Sequence, residues 1–175
     1  MTFTKNFSSA ACPVLSGARV LESPCRTLWM WGRSIAFIRR LEKESAPLHR
    51  LHFPCIVETR PFEIEMEWMG HTIGSKETFH VPMNEIWWQL KTVLMVLVDA
   101  QIRHRDITHN NLLWHPEHGL GLIDYGWSIW YWEQDTPIPV PEVMRPWMCD
   151  LTDYEQAERT IEIVEKLRRG EHASY

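Results

Sequence analysis

One long apolar helical segment, followed after a short loop by a hairpin, most constrains the fold. From Asn84, which we expect to cap the helix, EIWWQLKTVLMVLVDAQ is apolar on nearly all sides of its C-terminal half, as in a helix buried at the centre of a helical layer. The strand patterns NLLW and LGLID then flank the turn HPEHG. Such a helix needs a surrounding core, and 175 residues, 45% of them hydrophobic, are enough for one domain.

Strand patterns dominate the residues before this helix. Residues 12–23 predict a hairpin, residues 26–31 (RTLWMW) a third strand, and residues 34–44 an amphipathic helix. CIVETR and FEIEMEW predict two further strands, and DYEQAERTIEIVEKLRRG predicts a last helix that Gly170 ends. The predicted fold class is therefore α+β, with a β-rich front and a helical back.

Charge, hydropathy and cysteine usage exclude several classes of protein. The formal net charge is -5 without a long basic run, so we expect no nucleic-acid partner. The apolar stretch VLMVLV is far shorter than the roughly 20 residues that cross a bilayer, so we expect no membrane span. The four cysteines form no CxxC pair and the first residues lack a signal-peptide layout, which predicts reduced thiols and an intracellular, cytoplasmic protein. His115 and His118 have no second ligand set at zinc spacing and are interpreted as surface histidines.

Three oxygen-bearing side chains surround the hairpin. Asp106 lies in the loop before it, Asn111 follows five residues later, and Asp124 comes directly after the second strand. Carboxylate and amide oxygens are ligands that Mg²⁺ accepts, while its other positions go to waters and phosphates. A carboxylate such as that of Asp106 can also orient or deprotonate a hydroxyl that attacks a phosphoryl group. If the loops meet, the sequence predicts one site.

These residues resemble the catalytic core of eukaryotic-type protein kinases. His104, Arg105 and Asp106, followed after four residues by Asn111, match the family's HRD-x4-N catalytic loop, and DYG, beginning at Asp124, resembles its metal-binding DFG. The resemblance implies that ATP is the cosubstrate, that Asp106 is the catalytic base with Arg105 and Asn111 in the catalytic set, and that Asn111 and Asp124 bind Mg²⁺, or Mn²⁺ in its place.

The resemblance extends over roughly residues 12–167. It implies a two-lobed protein-kinase-like fold in a single minimal domain, with a small β-rich N-lobe (about 12–66), a hinge (about 67–70) and a truncated helical C-lobe (about 71–170). The C-lobe is expected to be truncated because only one helix follows VPE, which resembles the APE that closes the family's activation segment.

The expected nucleotide-binding residues lie in the first half of the chain. By the resemblance, Met66 is the gatekeeper, and the backbone of Glu67 and Met69 faces adenine. Glu44 takes the place of the family's helix glutamate, and Met30 falls where the third strand normally has its phosphate-binding lysine. A thioether cannot supply that positive charge.

Three interpretations of Met30 follow. The chain is a pseudokinase, or a kinase whose cation comes from elsewhere, with Arg26 and Arg33 nearest in sequence, or a kinase inactivated by a lysine-to-methionine substitution. The function predicted is an ATP- and Mg²⁺-dependent phosphotransferase, a small atypical serine/threonine protein kinase that transfers the γ-phosphate to a hydroxyl. The alternatives are a catalytically inactive kinase-like interaction module and a kinase for a small-molecule hydroxyl acceptor.

Three further residues or segments have two interpretations each. Asp150 or Asp153 is expected to brace the catalytic loop from the following helix. Arg105 is either a solvated arginine or pairs with an acidic or phosphorylated residue at 135–136. The tryptophan-rich loop 127–132 either packs a shortened lobe or docks a protein partner.

Overall fold

A computed structural model of the protein describes residues 2–7, 24–44, 52–134, 140 and 142–172. Within these ranges the chain is mixed α+β, with small antiparallel sheets and four α-helices. The strands are β1 (Thr2–Asn6), β2 (Ile56–Arg60), β3 (Glu63–Glu67), β4 (His71–Thr72), β5 (Ile102–Arg103), β6 (Leu112–His115), β7 (Gly119–Leu122) and β8 (Ile129–Trp130). The α-helices are α1 (Pro24–Glu44), α2 (Met83–Asp99), α3 (Arg145–Met148) and α4 (Asp153–Arg168).

The N-terminal sheet has three antiparallel strands in the order β1-β3-β2. Alternation along the central strand β3 buries Ile64 and Met66 and turns the glutamates between and beside them outward. The two strands predicted from CIVETR and FEIEMEW are confirmed. The strand β1 lies before residue 12, where the predicted N-lobe starts, and the hairpin predicted for 12–23 lies outside the described residues.

Residues 26–31 are helical, so the prediction of a third strand there is wrong. They form the first part of α1, which begins at Pro24, ten residues before the predicted helix. Proline suits a first helical position because its φ is already helical and its missing N–H has no partner there. The tryptophans in RTLWMW favour a strand by intrinsic propensity, but the packing of α1 from Met30 onward overrides that preference.

The helical position of Met30 corrects its assignment as a substitute for a strand lysine. Its side chain packs on the 3-10 turn Tyr125–Trp127, where Met30 Cε would lie 2.9 Å from a Cβ added to Gly126. Further along α1, Phe37, Ile38 and Leu41 are buried in the core. This helix therefore packs both on its own sheet and on the segment that follows β7.

The apolar helix α2 is buried on one face only. Ile86, Leu90, Val93 and Leu97 enter the core at helical spacing. Apolar residues on the opposite face remain exposed, so the prediction of burial on nearly all sides is wrong for that face. The helix starts at Met83, with Pro82 rather than Asn84 in the cap position.

The hairpin predicted after α2 is confirmed. Strands β6 and β7 pair from Leu112 opposite Leu122 to His115 opposite Gly119, and β4 pairs with the outer edge of β6. Gly70, just before β4, has φ +105°, and a Cβ there would lie 1.9 Å from Trp114 O. Only glycine allows the chain to approach β6 so closely.

The predicted C-terminal helix is also confirmed. In α4, Thr152 and Glu155 form a capping box at its start, and Gly170 adopts φ +72° after its end. Of the helices in the described ranges, none combines the length and the apolar character needed to cross a bilayer.

Candidate active site

Polar side chains of α4 shape the loop between β5 and β6. The buried carboxylate of Asp153 accepts hydrogen bonds from the backbone N–H groups of His104 (2.6 Å) and Arg105 (2.9 Å). Arg105 has φ +70°, a conformation that costs energy for a residue with a side chain and needs such support. Of the two aspartates predicted to brace this loop, Asp153 therefore does so, while Asp150 is exposed.

Two more residues on the same face of α4 continue this support. Gln156 Oε1 accepts from Ile107 N (2.9 Å), and Gln156 Nε2 donates to Arg105 O (3.2 Å). Thr160 Oγ1 donates to Ile107 O (2.7 Å). The side chains of Gln156 and Thr160 are fully buried, so their polar atoms need hydrogen-bond partners, and the backbone of the loop supplies them.

The register of the hairpin brings Asn111 beside Asp124. Leu112 faces Leu122, and Ile123 N donates to Asn111 O (3.0 Å). Asp124 is the next residue after Ile123. Residues 13 positions apart in sequence thus come together at the open end of one hairpin.

Asn111 also binds Asp106 directly. Its Nδ2 donates to both the backbone oxygen and Oδ2 of Asp106, each at 2.9 Å. The amide oxygen Oδ1 of Asn111 is then the atom available to a metal. Burial first, and then the charge of Asp124, raise the pKa of Asp106 to about 7, although Asn111 and Lys5 oppose the shift. The three predicted residues therefore form one electrostatically coupled site.

Asp124 sits in a left-handed conformation (φ 69°, ψ 71°) and has a different environment from Asp106. Its Oδ1 accepts from Gly126 N (3.3 Å) and forms an ion pair with the ammonium group of Lys5. Burial opposes ionisation of Asp124, but the charge and hydrogen bond of Lys5 prevail and lower its pKa. At neutral pH one carboxylate is ionised and its neighbour holds a proton part of the time.

Lys5 is the site residue that sequence reasoning missed. It lies on β1 opposite Ile64 of β3, and this pairing brings a residue near the N-terminus to the end of the β6–β7 hairpin. The signal for β1 is weak, because Phe3 and Phe7 are the only apolar residues of a short alternating pattern and the charged Lys5 occupies the position between them.

His104 is a buried link between the two halves of the site. Its Nε2 lies 3.0 Å from Ile123 O, and its Nδ1 accepts from Asp106 N (3.3 Å). Burial lowers the pKa of His104 to about 4, so the ring is neutral and can donate through one nitrogen and accept through the other. The ring also meets Tyr125 edge-on, with centroids 4.9 Å apart.

Arg105 is buried and faces the residues of α3 and its C-terminal cap. Its Nε donates to Met148 O (2.9 Å) and its Nη2 contacts Cys149 Sγ. It is therefore not a solvated arginine. Nη1 is buried and has no hydrogen-bond partner among the described residues, while residues 135–136 lie outside them. A catalytic role for Arg105 stays a prediction.

The residues expected to bind nucleotide are placed as follows. Met66 is buried in β3, and Met69 packs against Gly121 of β7. Glu67 N donates to Cys55 O (3.0 Å), so this amide is used within the protein. The side chain of Glu44 lies outside the described residues. Adenine binding by this segment stays a prediction.

A second group of potential metal ligands occupies the hairpin turn. One ligand atom each from His115, Glu117 and His118 lies within 4.8 Å of the others. However, the two imidazole rings are stacked, with centroids 4.4 Å apart and planes 12° from parallel, and His115 Nδ1 accepts from Glu117 N (3.1 Å). Lone pairs of nearly parallel, stacked rings do not converge on one point, so one ring would have to rotate before the three residues could share an ion. The interpretation of His115 and His118 as surface histidines stays a prediction.

The tryptophan-rich loop has both buried and exposed members. Trp127 is buried, and Trp130 packs on Phe37 of α1 with centroids 4.6 Å apart. Trp132 stacks on Trp130 and is 70% exposed. Packing accounts for the first two tryptophans, and docking of a protein partner through the third stays a prediction.

No protein-family model matches this chain, and no curated protein matches it either. The geometry around Asp106, Asn111 and Asp124 is therefore the basis on which a function can be assigned.

Proposed function

We propose that the protein is an ATP- and Mg²⁺-dependent phosphotransferase of the protein-kinase type, with serine or threonine hydroxyls of proteins as its first candidate acceptors. One observation supports this most strongly. Asp106, bonded to Asn111, lies within electrostatic reach of Asp124, and Lys5 pairs with Asp124 from another part of the chain. A base, two oxygen ligands and a cation are what phosphoryl transfer to a hydroxyl requires.

The donor set fits magnesium. The carboxylate of Asp124 and Oδ1 of Asn111 are hard oxygen donors at neighbouring positions, and two protein ligands are typical for a metal that keeps waters and phosphate oxygens. When bound there, the ion would neutralise charge on the phosphates. The low pKa of Asp124 keeps that ligand ionised at neutral pH.

Asp106 is suited to accept the proton of the attacking hydroxyl. Its pKa of about 7 lies near the working pH, where a general base is most effective. The Nδ2 hydrogen bonds of Asn111 fix the direction of its carboxylate. Asp153 accepts a hydrogen bond from the backbone of the same loop, so the position of the base is fixed.

Lys5 supplies the cation that the sequence alone appeared to lack. Its ammonium group lies at the predicted metal ligand Asp124, within reach of the site where phosphates would be held. A point charge of this kind stabilises charge on transferring phosphoryl oxygens. With Met30 in a helix, there is no reason left to infer a substituted lysine at that position.

The two-lobed, kinase-like arrangement is part of the same proposal. The β1-β3-β2 sheet with α1 would form the smaller lobe, and the residues from β4 to α4 the larger one. The Lys5–Asp124 ion pair and the contact of Met30 with Gly126 join the two parts at the site, which is where a nucleotide would bind.

Transfer of radiolabelled phosphate from ATP tests the proposal. With Mg²⁺ or Mn²⁺, the protein should label itself or general acceptor proteins. Asp106→Ala and Asp124→Ala should each lower the rate at least about 100-fold, and Lys5→Met at least about tenfold. Lys76→Met and Asp150→Ala change exposed residues outside the site and serve as controls.

Two results would contradict the proposal. Full activity in either aspartate variant would remove the assigned base or metal ligand. If the unchanged protein transfers no phosphate above background, either to proteins or to a panel of small alcohols, it is not a phosphotransferase. A rise in melting temperature with ATP and Mg²⁺ in that case would identify a catalytically silent nucleotide-binding module.

A further inference from the structure

The exposed face of α2 has a continuous apolar stripe. Trp88 is 69% exposed, Met95 67% and Val98 50%. Their spacing of seven and three residues places them on one side of the helix, opposite the residues that enter the core. Isolated exposed apolar residues are ordinary, whereas a row of them marks a binding surface.

An apolar groove continues this stripe. It lies between the C-terminal half of α2 and the start of α4 and has a volume of about 460 Å³. Met95 and Val98 form one wall, and Tyr131 and Tyr154 lie across from them. Tyr154 is itself 48% exposed, so the stripe and groove form one surface.

The charges on this face are arranged symmetrically. Lys91 lies four residues before Met95 and Asp99 four residues after it, and both are exposed. Neither forms an ion pair within the described ranges; Lys91 contacts the ring of Trp87, 5.0 Å from its centroid. When two copies of a helix pack antiparallel about a two-fold axis, the residue four places before the axis faces the residue four places after it.

We propose that this face binds a second copy of the chain, with the two α2 helices antiparallel and Met95 on the two-fold axis. Lys91 of each copy then faces Asp99 of the other, giving two symmetric ion pairs on either side of an apolar centre. Such self-complementarity favours a second copy over an unrelated partner.

The same register accounts for Trp88 and the groove. Trp88 lies seven residues before Met95, about 10 Å along the helix axis, and therefore comes level with the turn that follows Asp99, the last residue of α2, in the other copy. Tyr131, which lines the groove, is held there because Tyr131 N donates to Gln101 O (3.0 Å). Trp88 of each copy thus covers the groove of the other, which would make it the main anchor of the interface.

Charge reversal tests the register. Sedimentation velocity on the full chain should show a concentration-dependent dimer. Lys91→Glu alone and Asp99→Lys alone should each raise the dissociation constant at least about tenfold, because each turns two attractive pairs into repulsive ones. The double variant should restore affinity to within about threefold. Lys76→Glu, at an exposed lysine elsewhere, should leave it unchanged.

A cross-link tests the axis independently. A cysteine on a two-fold axis meets its own copy, so Met95→Cys should form an intermolecular disulfide on oxidation, above the background of the native cysteines. Val98→Cys is three residues from the axis and should not. A monomer at about 100 µM, failure of the double variant to restore affinity, or equal cross-linking of both cysteine variants would overturn the proposal.

Discussion

At the scale of single residues, Asp106 and Asp124 show how two neighbouring carboxylates come to differ. Burial and the negative charge of Asp124 raise the pKa of Asp106, whereas the ammonium group of Lys5 lowers that of Asp124. The two side chains therefore suit different tasks, one accepting a proton near neutrality and one binding a cation.

The raised pKa of Asp106 predicts a pH-dependent effect on stability. Its folded-state pKa of about 7 exceeds the ordinary value of 3.8, so its contribution to stability is complete below about pH 4 and is lost as the pH rises through 7. Asp106→Asn keeps an acceptor for Asn111 and removes this loss. The free energy of unfolding of this variant, relative to that of the unchanged protein and measured by urea titration, should be about 1–3 kcal/mol larger at pH 8 than at pH 5.

Asp150→Asn, which changes an exposed carboxylate outside the site, is the matched control in both titrations. If the gain from Asp106→Asn does not depend on pH, Asp106 is ionised throughout this range and its role as a base near neutrality is wrong.

Sequence alone was sufficient for some site residues and not for others. Asp106, Asn111 and Asp124 could be placed together because one short hairpin, with a clear turn, lies between them. Lys5 reaches the site through pairing of β1 with β3, about 60 residues later, and a five-residue strand has no local signal for such a long-range partner. The position of Lys5 is determined by the pairing of β1 with β3 rather than by local strand propensity.

At the scale of elements, α4 determines the shape of the loop at residues 104–107. Asp153, Gln156 and Thr160 lie on one helix face and bind the backbone of residues 104–107. Burial raises the pKa of Asp153, and the hydrogen bonds that its carboxylate accepts from two backbone N–H groups oppose that shift. The loop conformation, including the left-handed Arg105, depends on this set of bonds.

Removal of the Asp153 carboxylate should therefore be costly. Asp153→Ala leaves two buried N–H groups without acceptors and should lower the free energy of unfolding by about 2–4 kcal/mol. Asp150→Ala, three residues earlier and exposed, should change it by less than about 0.5 kcal/mol. Urea titration of both variants measures the difference, and equal effects would mean that Asp153 does not hold the loop.

Helices and strands with a clear periodic pattern of apolar residues were predicted well, and those without such a pattern were not. Strands β6 and β7 and helix α4 follow clear apolar patterns and turn or cap residues. The predicted start of α1 was wrong because the four aromatic and apolar residues in RTLWMW fit a strand as well as a helix. The exposed face of α2 could not be foreseen, because its apolar residues look like core residues in sequence.

At the scale of the whole molecule, α1 connects the N-terminal part of the chain to the segment after β7. Arg33 forms a bidentate ion pair with Glu133 and donates from Nε to Ser128 O (3.0 Å). The partners are 100 residues apart in sequence, and both side chains are mostly buried.

A double-mutant cycle should detect this connection. Arg33→Ala, Glu133→Ala and their combination should give a coupling energy of about 1–2 kcal/mol in urea unfolding, because a partly buried bidentate pair is little screened. The Arg60–Glu58 pair has side chains about half exposed and should couple by less than about 0.5 kcal/mol. A coupling no larger than that of the exposed pair would show that Arg33 and Glu133 do not join the two parts.

The dependence of the loop at residues 104–107 on α4 also bears on biosynthesis. His104 and Arg105 are hydrogen-bonded by a residue 48 to 49 positions further on, and Ile107 by one 53 positions further on. At roughly 5–20 residues per second, a ribosome adds those later residues only some 2–10 s after the loop. A nascent chain that ends between Asp124 and Asp153 has all three site residues but lacks the hydrogen bonds that α4 makes to residues 104–107. Translation must pass Thr160 before the full set of bonds from α4 to this loop can form.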